Sequence, residues 1–424
     1  MSRRAAALVL AAAASLAGCA PELSLEADPQ PIPFDLISGV PISVAVIPGR
    51  EPFHMLVDTA SPISAIDLHG QSPGIEQVSE LRLLRPDDPR VVRAILHDFG
   101  VARTPLYQAG FGTPVAVAGV LGGDVLAHYS VRFDYPAGGA TMTFTERTFD
   151  EAKPETDAEL AQAGRVVVRS FVLGGGTYEL GDTAGSLSPT RMTVPACALL
   201  GGRAEDMLLL VATGFGPLTL GRSAAERIFA RSVGTAEVDR LYVPGTLGGI
   251  AVLERGTLLG PEASALALVG DEHGDTPQSS SDFGGPCTQL FRHQSFEPLS
   301  AAAAADCSTG PCVGPGPNGS VVGAAYVELC ASAPPIGYAV IADEEPLLQS
   351  LRAELRPQLP EIDGFAGTEV LRSLTTELNY RNSRVILDCA AGPDGAPVAG
   401  CRARPRYNFT GAPDPCRTSS AAVP

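Results

Sequence analysis

Lysine is almost missing from this chain: Lys153 stands alone, and the rest of the 30 basic residues are arginine. Against 47 acidic residues they leave a formal charge of −17. That balance argues against nucleic acid as a partner and against adhesion to anionic lipid through a basic patch. The arginine bias says more about a GC-rich genome than about function. Long apolar runs are also missing. Residues 5–17 form the one extended stretch, which is too short to span a bilayer as a helix. Sustained helical periodicity is scarce, whereas Val, Gly, Pro and Thr are plentiful, so the expected class is all-β with short helices.

The chemistry-bearing motifs are sparse too. No Gly-x-Ser-x-Gly elbow occurs, which leaves a serine hydrolase without support. Cys307 and Cys312 have no second pair or histidine at zinc-ligand spacing, and His54, His69, His97, His128, His273 and His293 are scattered. No metal site is therefore expected. Gly314-Pro-Gly316-Pro-Asn-Gly319 matches a dinucleotide fingerprint in letters only, because its prolines remove backbone donors and no strand or helix pattern flanks it. No cofactor is expected. His54 reads as a strand-face residue, and Asp343-Glu344-Glu345 as a solvated turn.

At the N-terminus, Arg3 and Arg4 precede the apolar run, which ends in Leu16-Ala17-Gly18-Cys19. This resembles a bacterial lipobox. The resemblance implies a signal peptide over residues 1–18, cleavage before Cys19, and acylation of Cys19. Ala20 follows the cysteine where aspartate would signal inner-membrane retention, which implies lipid anchoring in the outer membrane. Pro21, Pro29, Pro31 and Pro33 make residues 19–33 read as a stiff tether. Eight further cysteines, an even number in an exported chain, make disulfides the default. Cys389, Cys401 and Cys416 would tie down a tail over residues 396–424.

From residue 34 onward, short apolar runs alternate with Gly and Pro. Residues 40–47 alternate as a strand, Pro48-Gly49 turns the chain, and residues 53–57 return as its partner. That return strand runs straight into Asp58-Thr59-Ala60-Ser61. Further on, Gly119-Val120-Leu121-Gly122-Gly123-Asp124 leads into a short helix expected over residues 125–129. A hairpin carrying Asp134-Tyr135 comes next. The two blocks together resemble a lobe of the aspartic proteases, in which a strand delivers a carboxylate into a tight turn. A Gly-Val-Leu-Gly segment crosses close beside that turn, and small residues permit the approach. The resemblance implies that Asp58 and Thr59 belong to a catalytic motif, with Ala60 and Ser61 lining the binding cleft. It also places a flap between residues 81 and 104, a stretch without tyrosine.

The pattern then recurs. Met207-Leu-Leu-Leu-Val211-Ala212-Thr213-Gly214 echoes Met55-Leu-Val57-Asp58-Thr59-Ala60, and Gly364-Phe-Ala-Gly367-Thr-Glu369-Val-Leu371 echoes Gly119 to Leu126. Residues 191–196 answer residues 41–46, and Leu378-Asn379-Tyr380 answers Phe133-Asp134-Tyr135. Two tandem acid-protease-like β-barrel lobes are therefore expected, over residues 34–150 and 191–395. Residues 151–190 would connect them, with residues 165–172 forming a single strand. Residues 271–319, rich in Ser, Gly, Pro and Ala with three cysteines, read as an insertion pinned by disulfides.

Aspartic proteases need two carboxylates sharing one proton, one as base toward water and one as acid toward the scissile carbonyl. Here the second position is Ala212, with Thr213 and Gly214 keeping the turn. Four readings stay open. The protein has lost the peptidase reaction and binds an extended peptide or protein ligand between its lobes. A distant acid completes the dyad, the candidate being Asp182-Thr183-Ala184, whose flanks read as an exposed turn. Two chains pair their Asp58 residues by homodimerisation. The lobes serve only as a structural scaffold of the envelope.

Overall fold

The computed structural model describes residues 24–26, 31–67, 72–104, 116–135, 139–146, 165–174, 190–200, 203–243, 249–258, 265–269, 287, 314–315, 321–322, 324–330, 335–354, 361–391 and 400–405. The first lobe runs β1 (Ser24–Glu26), β2 (Ile32–Ile37), β3 (Val40–Val46), β4 (Phe53–Val57), β5 (Ala65–Ile66), β6 (Gly74–Arg85), β7 (Asp88–Arg103) and β8 (Val117–Leu121). The one-turn helix α1 (Gly123–Leu126), β9 (Tyr129–Asp134) and β10 (Ala140–Glu146) complete it. Two short strands follow, β11 (Val166–Arg169) and β12 (Val172–Gly174). The second lobe opens with β13 (Thr190–Leu200), β14 (Arg203–Val211), β15 (Leu218–Gly221), α2 (Arg222–Phe229), β16 (Asp239–Leu241), β17 (Ile250–Thr257) and β18 (Ala265–Val269). It continues through β19 (Gly314–Pro315), β20 (Val321–Val322), β21 (Ala324–Cys330), β22 (Gly337–Ile341), α3 (Pro346–Glu354), β23 (Gly364–Ala366), α4 (Thr368–Leu371), β24 (Leu374–Asn379), β25 (Arg384–Cys389) and β26 (Cys401–Pro405).

The protein is all-β with short helices, and its two lobes repeat one plan. In lobe one β4 runs parallel to β8, pairing Leu56 with Val120 and Val57 with Leu121, while β5 lies antiparallel on the other side of β8. In lobe two β14 runs parallel to β23, pairing Leu210 with Phe365 and Val211 with Ala366, and β15 lies antiparallel to β23. A glycine opens the helix after each crossing strand: Gly122 before α1 and Gly367 before α4. A Cβ on Gly122 would collide with the backbone of Ile63, and one on Gly367 with the backbone of Pro217, so the close crossing requires glycine at both places.

A shared sheet joins the lobes. Within it the run β2-β10-β9-β24-β25-β11 places β9 of lobe one directly against β24 of lobe two, with Phe133 opposite Thr376 and Val131 opposite Leu378. Val131 and Phe133 point inward and are fully covered, whereas Arg132 and Asp134 alternate outward, as a period of two demands. Valines and leucines of both lobes then merge into one apolar core, which includes Val57, Leu121, Phe133, Val211, Leu378 and Leu387.

Three sequence expectations need correction. Residues 19–33 are not wholly an unfolded tether: Ser24–Glu26 pairs with β7 and Ile32, 1% exposed, already lies in β2. Residues 165–172 do not form one strand. The chain breaks at Ser170-Phe171, so that β11 joins the interlobe sheet against β25 while β12 pairs with β13. The segment read as a connector thus contributes the counterpart of β2 to the shared sheet. Asp343 and Glu344 do form a turn and Glu344 is exposed, but Asp343 is not merely solvated there: its carboxylate accepts from the Ser223 amide at the start of α2 at 2.9 Å and from Arg352 at 3.1 Å.

The expected helix after Gly122 lies slightly earlier than residues 125–129, at Gly123–Leu126. The stretch expected to hold a flap is one long hairpin of β6 and β7. Two disulfides join described cysteines, Cys197 to Cys287 and Cys389 to Cys401. The first pins residue 287 of the insertion to β13, and the second holds the start of the tail. Cys19, the signal segment, Asp182 to Ala184, Cys307, Cys312 and Cys416 lie outside the described residues.

Candidate active-site floor

The two motif turns meet at the junction of the lobes. Val57 and Val211 end strands whose last residues, 55–57 and 207–211, are buried on both faces, so each turn begins in the dry interior. The Asp58 amide donates to Leu121 O at 3.0 Å, and the Ala212 amide donates to Ala366 O at 3.1 Å. Each turn closes in the same way, Ser61 N to Asp58 O at 3.2 Å and Phe215 N to Ala212 O at 3.1 Å.

Between them the threonines interlock. Thr59 Oγ1 donates to Val211 O at 2.8 Å and accepts from the Thr213 amide at 3.1 Å. Reciprocally, Thr213 Oγ1 donates to Val57 O at 2.7 Å and accepts from the Thr59 amide at 3.1 Å. Both threonines are at most 1% exposed. These four bonds cross the lobe boundary and place the expected residues Thr59 and Thr213 together.

The symmetry fails at the position that precedes each threonine. Asp58, 2% exposed, directs Oδ1 to two backbone amides, Ala60 at 2.9 Å and Gly214 at 3.0 Å. Opposite it, Ala212 presents a methyl within an apolar cluster that also holds Ala60, Leu210, Phe215 and Phe365. Burial pushes the Asp58 carboxyl above its ordinary range, against the lowering pull of the Ala60, Gly214 and Ser61 amides and of the Arg191 charge. Ser61 is only partly buried and turns its hydroxyl to Ile63 O at 2.7 Å.

Asp124, the second acid of lobe one's motif, works as a structural clasp. Its Oδ1 accepts from the Ser64 amide and hydroxyl, both at 2.7 Å, and from the Val125 amide at 2.8 Å. Burial raises its pKa to about 6 despite those bonds. In lobe two the matching Glu369 accepts from the Gly337 amide at 2.5 Å.

Two further residues lie near Asp58, one of them unmarked by any sequence motif. Arg191, on the first strand of lobe two, is 4% exposed and ion-paired with Glu354 at the end of α3. Tyr380 is buried, and the Asp58 charge helps to push its phenol upward, after the larger effect of burial. The internal repeat predicts Tyr380 as the counterpart of Tyr135, but nothing in the spacing announces a cation beside Asp58. Among the described residues no three His, Cys, Asp or Glu side chains converge as a metal site would require.

Fold and site together define a bilobal all-β protein built from two repeats of one plan, whose interlocked motif turns carry one carboxylate, Asp58, opposite the methyl of Ala212. No known family model matches the chain, and no curated protein matches it in sequence. Among solved structures it is similar to basic 7S globulin from soybean, with a TM-score of 0.37 and 10% identity over 87% of this chain and 95% of that one. It is likewise similar to conglutin gamma, a basic 7S globulin from lupine seeds, with a TM-score of 0.36 and 10% identity over 87% and 95% of the two chains.

Proposed function

We propose that this protein is a non-catalytic descendant of the acid-protease architecture that engages extended polypeptide without cleaving it. The observation that carries the reading is the pairing of Asp58 with the amides of Ala60 and Gly214, opposite the methyl of Ala212. A lone carboxylate cannot act as base toward water and as acid toward a carbonyl at once. Oδ1 is, moreover, already occupied by two donors. Peptide engagement would use backbone pairing along strand edges. One such edge is β16, where Asp239 and Arg240 are exposed at the end of the lobe-two sheet.

The test is an assay of the mature chain against a peptide library from pH 3 to 7, together with direct peptide binding. Binding without cleavage is the expected result. Cleavage abolished by Asp58→Asn would instead establish an active endopeptidase, through a distant acid or a homodimer. The burial of Asp58 favours one rival, a purely structural envelope protein, and absence of peptide binding at any pH would select it.

We further propose that the chain is a lipoprotein anchored in a bacterial outer membrane through Cys19. The support is Leu16-Ala17-Gly18-Cys19 with Ala20 following. Cys19→Ser should abolish incorporation of labelled fatty acid and release the protein from the membrane fraction.

A further inference from the structure

Glycine at 214 is demanded by the acid across from it. A Cβ built there would lie 2.5 Å from Asp58 Oδ2 and 2.6 Å from Oδ1, well inside contact distance, against a carboxylate that is itself buried. A side chain at 214 and an acid at 58 therefore exclude one another.

The reciprocal threonine bonds relate Thr59 to Thr213, and hence Asp58 to Ala212 and Ala60 to Gly214. The excluded combination is avoided on both sides, by opposite means. Lobe two carries glycine opposite a carboxylate. Lobe one carries alanine opposite a methyl. Ala60 is 5% exposed and packs in the same apolar cluster as Ala212, which is fully covered.

We infer that Ala60 is a second determinant of the lost reaction, a positioning residue whose methyl fills the place that an acid at residue 212 would need. The inference rests on the reading that residue 212 is the second dyad position. Replacing Ala212 alone would press a carboxylate onto the Ala60 Cβ inside an apolar cluster. Replacing both residues opens that space and leaves the amides of residues 60 and 214 available to two acids instead of one.

The test is a double-mutant cycle in the mature chain, read by urea midpoint: Ala60→Gly, Ala212→Asp and the pair. Ala60→Gly alone should lower the midpoint slightly, because glycine frees the unfolded backbone. Ala212→Asp alone should lower it strongly. The pair should unfold at higher urea than Ala212→Asp alone, and acid-pH peptide cleavage, if it emerges, should be confined to the pair.

If Ala212→Asp does not fold, Ala212→Asn supplies the same shape without charge. The mirror cycle of Gly214→Ala with Asp58→Ala tests the same exclusion on the native acid. Gly214→Ala should be severely destabilised and Asp58→Ala/Gly214→Ala largely rescued. Additive midpoints in the Ala60 and Ala212 cycle would overturn the assignment of Ala60, and additive midpoints in the mirror cycle would overturn the exclusion from which it is argued. Cleavage by the unmodified chain would overturn the proposed function and leave the cycles unaffected, so the two failures are distinguishable.

Discussion

A single hydroxyl at residue 59 satisfies two groups of the opposite lobe, the Val211 carbonyl and the Thr213 amide. Thr59→Val preserves shape and leaves both buried and unpaired, which should cost about 2–5 kcal/mol. The urea midpoint of the purified variant checks this. Asp124 sets a pH dependence of definite sign. Its folded pKa of about 6 lies above the ordinary 3.8, so its protonated form stabilises the fold. That contribution is complete below about pH 4 and lost as the pH rises through about 6, a fall of about 3 kcal/mol. Asp124→Asn keeps an oxygen for the Ser64 and Val125 donors and should remove this slope, so that it gains on the parent chain at pH 7. Urea titrations at pH 4.5 and 7 test it. Asp58, Thr59, Ala212 and Thr213 were legible in the sequence because the motif recurs within the chain. Arg191 was not, because its nearness to Asp58 arises where β13 starts beside the first motif turn, a crossing that no local pattern encodes.

At the scale of elements, the strands that carry the motifs were readable from alternation and from their Gly and Pro boundaries. Their partnerships were less so. Residues 32–33 and 166–169 look like the end of a tether and part of a connector, and only pairing with β10 and β25 reveals them as strand residues flanking the interlobe pair. Parallel neighbours such as β4 and β8 were legible only through the small residues at their crossing. The Cys197–Cys287 bridge spans a sequence separation of 90 and fixes the insertion to β13, where Cys197 packs with Ala267. Chain entropy assigns such a closure about 4–5 kcal/mol. A Cys197→Ala/Cys287→Ala chain should lose up to that amount in urea unfolding and become more susceptible to proteolysis around residue 287.

For the whole molecule, the decisive fact is that β9 and β24 are hydrogen-bonded neighbours and that one apolar core continues through both lobes. The lobes are repeats in sequence but not independent bodies. Hydrogen exchange at increasing urea should show β9 and β24 losing protection together, in a single transition that Thr59→Val shifts in both lobes alike. Loss of one lobe's protection well before the other's would contradict this. The same continuity gives the acid-free turn a structural role: Thr213 and Gly214 hold lobe one's turn as much as their own.

The pairing of Ser24–Glu26 with β7 sets the length of the leash. If Cys19 carries lipid, only the step from residue 19 to residue 24 separates the acyl chains from hydrogen-bonded structure, a reach of at most about 18 Å. The body would then ride against the bilayer surface and could not sweep the space beyond it.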